Sequence, residues 1–325
     1  MQTITSLAIP SAWNSKTLYR DKSWIYILTQ NDIDEIHTAL KIVVKRDLKP
    51  SEISQKTFPL PNFSETLKKV FEALEHNYGI FLIRGLPVQQ YTVEENKLLW
   101  IGIGSYIGKL IKQNKPEELV YDVTDKGEYW RVVSAEGSTT GSPFLPFHTD
   151  QCDVAALLCL NKSKSGGESR VVSAVAIHNE IFTRRPDLLE ILYKNFYYRR
   201  ALWDGFSPGF FKLPIFEVYN GNFACYFARS YIDAGQTLKR VPKLSQLQSE
   251  ALDLFEEIAN DSNFYIETDF ECGDMQFINN YITLHARGAY EDGSTPMTKR
   301  HLLRLWLSVE NRRPVSRGFK SLMNN

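Results

Sequence analysis

The sequence predicts a mainly β domain with added helices, an α+β arrangement whose strands build a sandwich or barrel. Three observations carry this. From about Pro146 onward, short apolar runs rich in branched and aromatic side chains alternate with turn signals, as in DVAALLCLN (153–161), SRVVSAV (169–175), NFYYRRAL (195–202) and FYIETDF (264–270). Asn220-Gly221 separates two strand-like halves of IFEVYNGNFACYFARSY (215–231), and this dipeptide favours a two-residue hairpin because both turn positions need positive φ. Two helical interruptions stand out in this half, PDLLEILYKN (186–195) and PKLSQLQSEALDLFEEIAND (242–261), and so few helices among many strands argue against alternating strand-helix units.

The first third mixes helix and strand. NDIDEIHTALKIVVKR (31–46) begins with good capping residues and sets Ile33, Ile36, Leu40 and Val43 on one face. FSETLKKVFEALEHNYG (63–79) predicts a helix capped by Ser64 and stopped by Gly79. GIFLIRGLP (79–87) reads as a buried strand leaving through a turn, and 93–108 as a further helix carrying Leu98, Leu99, Ile101 and Ile103. The last run, RHLLRLWLSV (300–309), fits either state by pattern, and its aromatic and branched content favours strand.

With 325 residues and 43% hydrophobic side chains, the chain can bury a substantial core, and without repeat or linker it reads as one domain over 1–325. Lys+Arg and Asp+Glu are both 38, so electrostatics give no reason to expect a nucleic-acid or membrane partner. The N-terminus lacks a basic segment followed by a long apolar run, and no stretch approaches bilayer-spanning length. Cys152, Cys159, Cys225 and Cys272 form no CxxC pair, which leaves them as isolated small hydrophobes and makes a reducing cytoplasm the expected location.

The chemistry concentrates in FHTDQCD (147–153). In an extended segment His148 and Asp150 point to the same side, so an imidazole and a carboxylate can converge on one ion. The same tripeptide also serves as a hydrogen-bonded pair at a strand end. A third imidazole from a distant strand would complete a two-histidine, one-carboxylate triad, which keeps positions open for O2 and a chelating cosubstrate on iron(II). His37 and His76 fall in polar helical stretches, His178 opens a predicted helix, and His301 directly follows Arg300 and points away from it. That leaves His285, within GDMQFINNYITLHARGAYEDG (273–293), as the best third ligand. A dicarboxylate cosubstrate needs a fixed cation, and arginine grips carboxylate through two parallel bonds. Arg300 and Arg304 lie on one face of KRHLLRLWL, among leucines and a tryptophan that imply burial, where a cation needs an anion.

The order of these pieces resembles the taurine dioxygenase/clavaminate synthase-like superfamily of Fe(II)/2-oxoglutarate oxygenases. SGGES (165–169) follows the HTD motif by one strand, and RHLLR follows His285 by one loop; GIFLIRGLP and IGKLIKQN extend the likeness over roughly residues 79–310. The resemblance implies a double-stranded β-helix, or jelly roll, with an N-terminal elaboration over about residues 1–78 and an insertion within about 176–262. It implies an oxygenase using Fe(II), 2-oxoglutarate and O2, with His148, Asp150 and His285 as iron ligands and Arg300 on the distal carboxylate of 2-oxoglutarate. Ser169 stands where the family often places a threonine hydroxyl for that carboxylate. Arg304 is similar to an arginine that in several members meets an anionic substrate group, and Gln113 and Asn114 stand where substrate-contacting polar groups occur, with Tyr121 and Trp203 as further candidates. Related halogenases carry a small residue where Asp150 stands, so its carboxylate favours hydroxylation. A small acid-bearing metabolite is the expected substrate. A non-catalytic jelly-roll ligand carrier and a metallohydrolase using the same three ligands are the rival readings.

Overall fold

Alternation along a few strands decides the layering. In the strand His301–Ser308, Leu303, Leu305 and Leu307 join one core cluster, whereas Leu302 belongs to another and Arg304 and Trp306 share its side. A computed structural model describes residues 4–113, 118–125, 144–200 and 209–323, and places these faces in a mixed α+β architecture. A seven-stranded sheet runs in the order Ile25–Ile27, Ile80–Arg84, Met275–Asn279, Val154–Asn161, His301–Ser308 and Lys109–Ile111, with Tyr121–Thr124 also paired to His301–Ser308. A four-stranded antiparallel sheet runs Tyr265–Thr268, Ser169–Ser173, Thr283–Arg287 and Leu145–His148.

Each sheet has a helical layer against one face. The larger buries Phe81, Ile83, Leu158, Met275 and Phe277 against Ile36 and Val43 of helix Gln30–Lys45, Leu67 and Val70 of Phe63–His76, and Trp100 and Ile103 of Val93–Gly104. The smaller buries Phe147, Val172, Leu284 and Ala286 with Ile177 and Ile181 of Ala174–Arg184, Leu188 and Leu192 of Pro186–Leu192, and Leu252 and Phe255 of Gln246–Asn260. A third cluster, including Leu82, Val123, Cys159, Val171, Ile278 and Leu302, draws on both sheets. The interior between the sheets is therefore apolar at one end, and the polar site described below occupies the rest.

Local signals account for the element ends, with two corrections. The helix expected from residue 31 starts at Gln30, because Thr29 accepts from the Asp32 N–H and the Asp32 carboxylate accepts from the Thr29 N–H in a capping box. Ser64, the expected cap of the next helix, lies inside it. The Glu35 carboxylate from the neighbouring helix accepts from the N–H groups of Asn62 and Phe63 instead, at 2.8 and 2.6 Å, a tertiary cap with no local signature. His178 does not open its helix either. Ser173 caps that helix, and His178 is fully buried against Phe216 and Phe223, 2.9 Å from the Tyr193 hydroxyl. The Asn220-Gly221 turn forms as expected, with φ of 49° and 77° joining Phe216–Tyr219 to Asn222–Cys225. Cys152, Cys159 and Cys225 are buried free thiols and Cys272 is exposed. Among the described residues no helix is long and apolar enough to cross a membrane.

One buried ionic cluster ties the end of the last strand to the loop that carries His148 and Asp150. Asp153 is fully buried; its carboxylate accepts from the Tyr281 hydroxyl at 2.6 Å and the Val309 N–H at 2.8 Å, and Arg312 Nε lies 2.9 Å away. Replacing it leaves a mostly buried guanidinium without its counter-ion. Asp153→Ala should destabilise the fold by about 3–5 kcal/mol in urea unfolding, and a loss below about 1 kcal/mol would show that water or a neighbour replaces the carboxylate.

Candidate active site

His148 ends the strand Leu145–His148, and its cross-strand partner in the register is His285. Directly opposed residues of an antiparallel pair hold their side chains close on the same face, and the two imidazole centroids are 4.3 Å apart. Asp150 follows two residues later, where the chain leaves the strand, and its N–H donates to Asn280 Oδ1 at 3.0 Å. Asp150 Oδ1 lies 3.7 Å from His148 Nε2, and Oδ2 lies 3.7 Å from His285 Nε2. One ligand-type atom from each of the three falls within 4.8 Å of the others.

The protonation states suit a cation. His148 Nδ1 lies 2.8 Å from the Pro146 carbonyl oxygen, which can only accept, so Nδ1 donates there and Nε2 is the ring nitrogen that faces Asp150. Burial, and then the neighbouring His148, push the His285 imidazole down to about 3, so it stays neutral. Burial works to raise the Asp150 carboxyl, but Arg304, the two histidines and the Trp306 N–H outweigh it and hold it below the usual carboxylate range. The Trp306 indole donates to Asp150 Oδ2 at 2.9 Å and fixes the carboxylate plane. Two imidazole nitrogens and one carboxylate match the donor set of ferrous oxygenase centres.

Beside the two histidines lies a cavity walled by Val123, Leu145 and Leu157 and bounded by Ser169, Arg287, Arg300 and Arg304. All three arginines are buried. Arg300 lies over the ring of Tyr290, as does Arg287, at 5.3 and 4.8 Å from its centroid. Burial and the charge of Arg287 lower the Arg300 guanidinium to about 10, and its Nη1 has no hydrogen-bond partner among the described residues. A buried cation with an unused donor fits an anion that enters from the cavity. The SGGES run explains how Arg300 lies so close to the chain. A Cβ on Gly167, where φ is +83°, would sit 3.1 Å from Arg300 Nε.

His148, His285, Ser169, Arg300 and Arg304 line one cavity, and Asp150 stands beside the two histidines. Gln113, named as a candidate substrate contact, lies against Arg304. Its Oε1 accepts from Arg304 Nε at 2.8 Å, and its Nε2 donates to the Arg304 carbonyl at 2.9 Å and to that of Leu119 at 3.1 Å, so its amide is fully engaged in holding Arg304. Asn114 and Trp203 lie outside the described residues. Tyr121 is a platform beneath Arg304, whose guanidinium also covers Trp306, at 5.1 and 4.8 Å from the ring centroids. His301 pairs with Asp122 at 2.8 Å, away from the site. The sequence reading missed Arg287 and Trp306, although each lies two residues along a strand from an identified residue and so shares its face. It also missed Gln276, whose signal was a polar side chain inside the apolar strand Met275–Asn279. Gln113→Leu removes the acceptor from a buried guanidinium N–H and should cost about 1–3 kcal/mol in denaturant unfolding; an unchanged midpoint and slope would show that Asp150 and the aromatic neighbours suffice to hold Arg304.

Comparison with known proteins gives concordant results. The family described as "Taurine catabolism dioxygenase TauD, TfdA family" matches residues 45–306. An enzyme of Streptomyces rubellomurinus named FR-33289 synthase is 35% identical over 310 residues, covering 93% of this chain and 90% of its own length. A "Taurine hydroxylase-like protein SAT17" from Stachybotrys chartarum is 29% identical over 306 residues, covering 90% of this chain and 77% of its own. Among solved structures, asparagine oxygenase in complex with Fe(II), 2S,3S-3-hydroxyasparagine and succinate shares the fold at a TM-score of 0.69 and 14% identity, covering 88% of this chain and 93% of that one. The non-heme iron oxygenase OrfP, in complex with Fe and alpha-ketoglutaric acid, does so at a TM-score of 0.61 and 17% identity, covering 87% and 93%.

Proposed function

The chain belongs to the TauD, TfdA family of dioxygenases, and on that premise we propose that it hydroxylates a small acid-bearing metabolite, an amino acid or a compound like one, at a centre formed by His148, Asp150 and His285. It is an oxidoreductase of the Fe(II)- and 2-oxoglutarate-dependent class. When bound, ferrous iron and 2-oxoglutarate supply the activation of O2 that oxidises a carbon–hydrogen bond, with succinate and CO2 released. The observation that carries the reading is the convergence of three metal-type ligands beside a cavity that also holds a buried, partly unpaired arginine.

In this reading His148 Nε2, His285 Nε2 and an Asp150 carboxylate oxygen would hold the metal. The Trp306 N–H and the Pro146 carbonyl keep Asp150 and His148 in their ligating orientations. Arg300 grips the distal carboxylate of 2-oxoglutarate, and Ser169 stands beside it. Arg304, held by Gln113 and by two aromatic faces, presents its charge at the other side of the cavity for an acid group of the substrate. Val123, Leu145 and Leu157 keep the remaining wall dry, so the charges act in a low dielectric. The two sheets are read as a double-stranded β-helix within one domain, with residues 1–78 and about 176–262 as elaborations.

Incubation with iron, ascorbate and 2-oxoglutarate across a panel of amino acids and other acid-bearing metabolites should give substrate-dependent succinate. No succinate above background with any member would favour a ligand carrier. In anaerobic calorimetry, His148→Ala and His285→Ala should each lose most Fe(II) affinity, and full binding by both variants would sink the triad. Arg300→Lys keeps charge but loses the planar fork; it should weaken 2-oxoglutarate binding by about 1.5–3 kcal/mol, about one to two powers of ten in affinity. Arg304→Lys should instead raise the KM for the organic substrate and leave 2-oxoglutarate affinity largely intact. The reverse pattern would exchange the two arginines' roles.

A further inference from the structure

Gln276 is a fully buried amide between Met275 and Phe277, and its cross-strand neighbours are Leu82 and Leu157. An apolar side chain would suit that setting better. Its Oε1 accepts the Ser169 hydroxyl at 2.7 Å, a bond that crosses from one sheet to the other. Its Nε2 has no partner among the described residues. Ser169 and Leu157 both line the cavity that Arg300 bounds.

A hydroxyl carries one proton. While Gln276 Oε1 holds that proton, Ser169 offers the cavity only lone pairs, which repel a carboxylate. Amide O and N have nearly the same size, so half a turn of the Gln276 amide exchanges them within the same envelope. Nε2 then donates to Ser169 Oγ, and the Ser169 proton is free to turn toward the cavity. In the first orientation Nε2 has no partner among the described residues, and in the second Oε1 gives up the Ser169 proton. The balance between them is therefore set by whether an anion is present to accept the Ser169 proton.

We infer that Gln276 is a positioning residue for the cosubstrate, whose amide turns over as the distal carboxylate arrives and, by donating to Ser169 Oγ, aims the Ser169 hydroxyl at that carboxylate. This rests on the reading of Arg300 and Ser169 as the distal-carboxylate anchor. The chain of N–H to hydroxyl to carboxylate polarises along its length, which strengthens its last bond.

The test uses the Fe(II)-loaded enzyme in anaerobic calorimetry with two ligands, 2-oxoglutarate and 2-oxopentanoate, which carries a methyl group in place of the distal carboxylate. Gln276→Met, with Gln276→Leu as a second apolar replacement should the first not fold, should raise the Kd for 2-oxoglutarate about fivefold and leave that for 2-oxopentanoate unchanged. In a Ser169→Ala background Gln276→Met should have no further effect, because Gln276 acts through the hydroxyl. An unchanged or tighter Kd for 2-oxoglutarate, equal weakening of both ligands, or full additivity with Ser169→Ala would each overturn the role of Gln276. Arg300→Lys is measured alongside. If it and Ser169→Ala both leave 2-oxoglutarate affinity intact, the anchor reading itself falls; if they weaken it and Gln276→Met does not, only the inference about Gln276 falls.

Discussion

In the antiparallel pairing of Leu145–His148 with Thr283–Arg287, His285 stands opposite His148, and most of the site follows from that register. A slip of one residue by the strand Leu145–His148 would turn His148 out of the inter-sheet space, away from His285, and bring Phe147 into it. The same alternation that points His285 inward also points Arg287 inward, and it places Leu284 and Ala286 in the helix-backed core. The apolar face therefore specifies the position of the polar face. Packing of Phe147, Leu284 and Ala286 against three helices holds the register, and the register holds the histidines.

Concentrating charge in this interior requires compensation, and the structure distributes it unevenly. Asp150 is surrounded by donors and positive charge and stays ionised despite burial. Arg304 has an acceptor in Gln113 and two aromatic faces beneath its guanidinium. Arg300 rests on one aromatic ring and keeps a donor unused. The satisfied groups give rigidity, and the unsatisfied ones mark where a ligand adds binding energy. Burial raises the cost of each unpaired group in water-free surroundings, so a buried guanidinium with an unused donor suits an incoming anion.

The scaffold around the site is tied at points distant in sequence. Asp153 joins the HTD loop to the end of the last strand through Tyr281, Val309 and Arg312. Asn280 meets the same loop from the other side, accepting the Asp150 N–H and donating from Nδ2 to the Cys152 carbonyl. These contacts fix the chain on both sides of Asp150, whose side chain has left the strand and lacks a ladder of its own to hold it.

The sequence by itself determined the α+β class, the hairpin at Asn220-Gly221, the principal helices and the residues with the right chemistry. Those signals are local: a two-residue alternation puts His148 and Asp150 on one side, and leucines around Arg300 and Arg304 announce burial. The tertiary structure alone decided what those residues touch. Gln113 was legible as a candidate substrate contact but not as the holder of Arg304, because the partners are 191 positions apart. The capping of Phe63–His76 by Glu35, the bond from Trp306 to Asp150 and the bond from Ser169 to Gln276 likewise join separate elements. Periodicity assigns a side chain to a face, whereas a hydrogen bond depends on distance and angle between two faces. Those are fixed only when the sheets and helices pack.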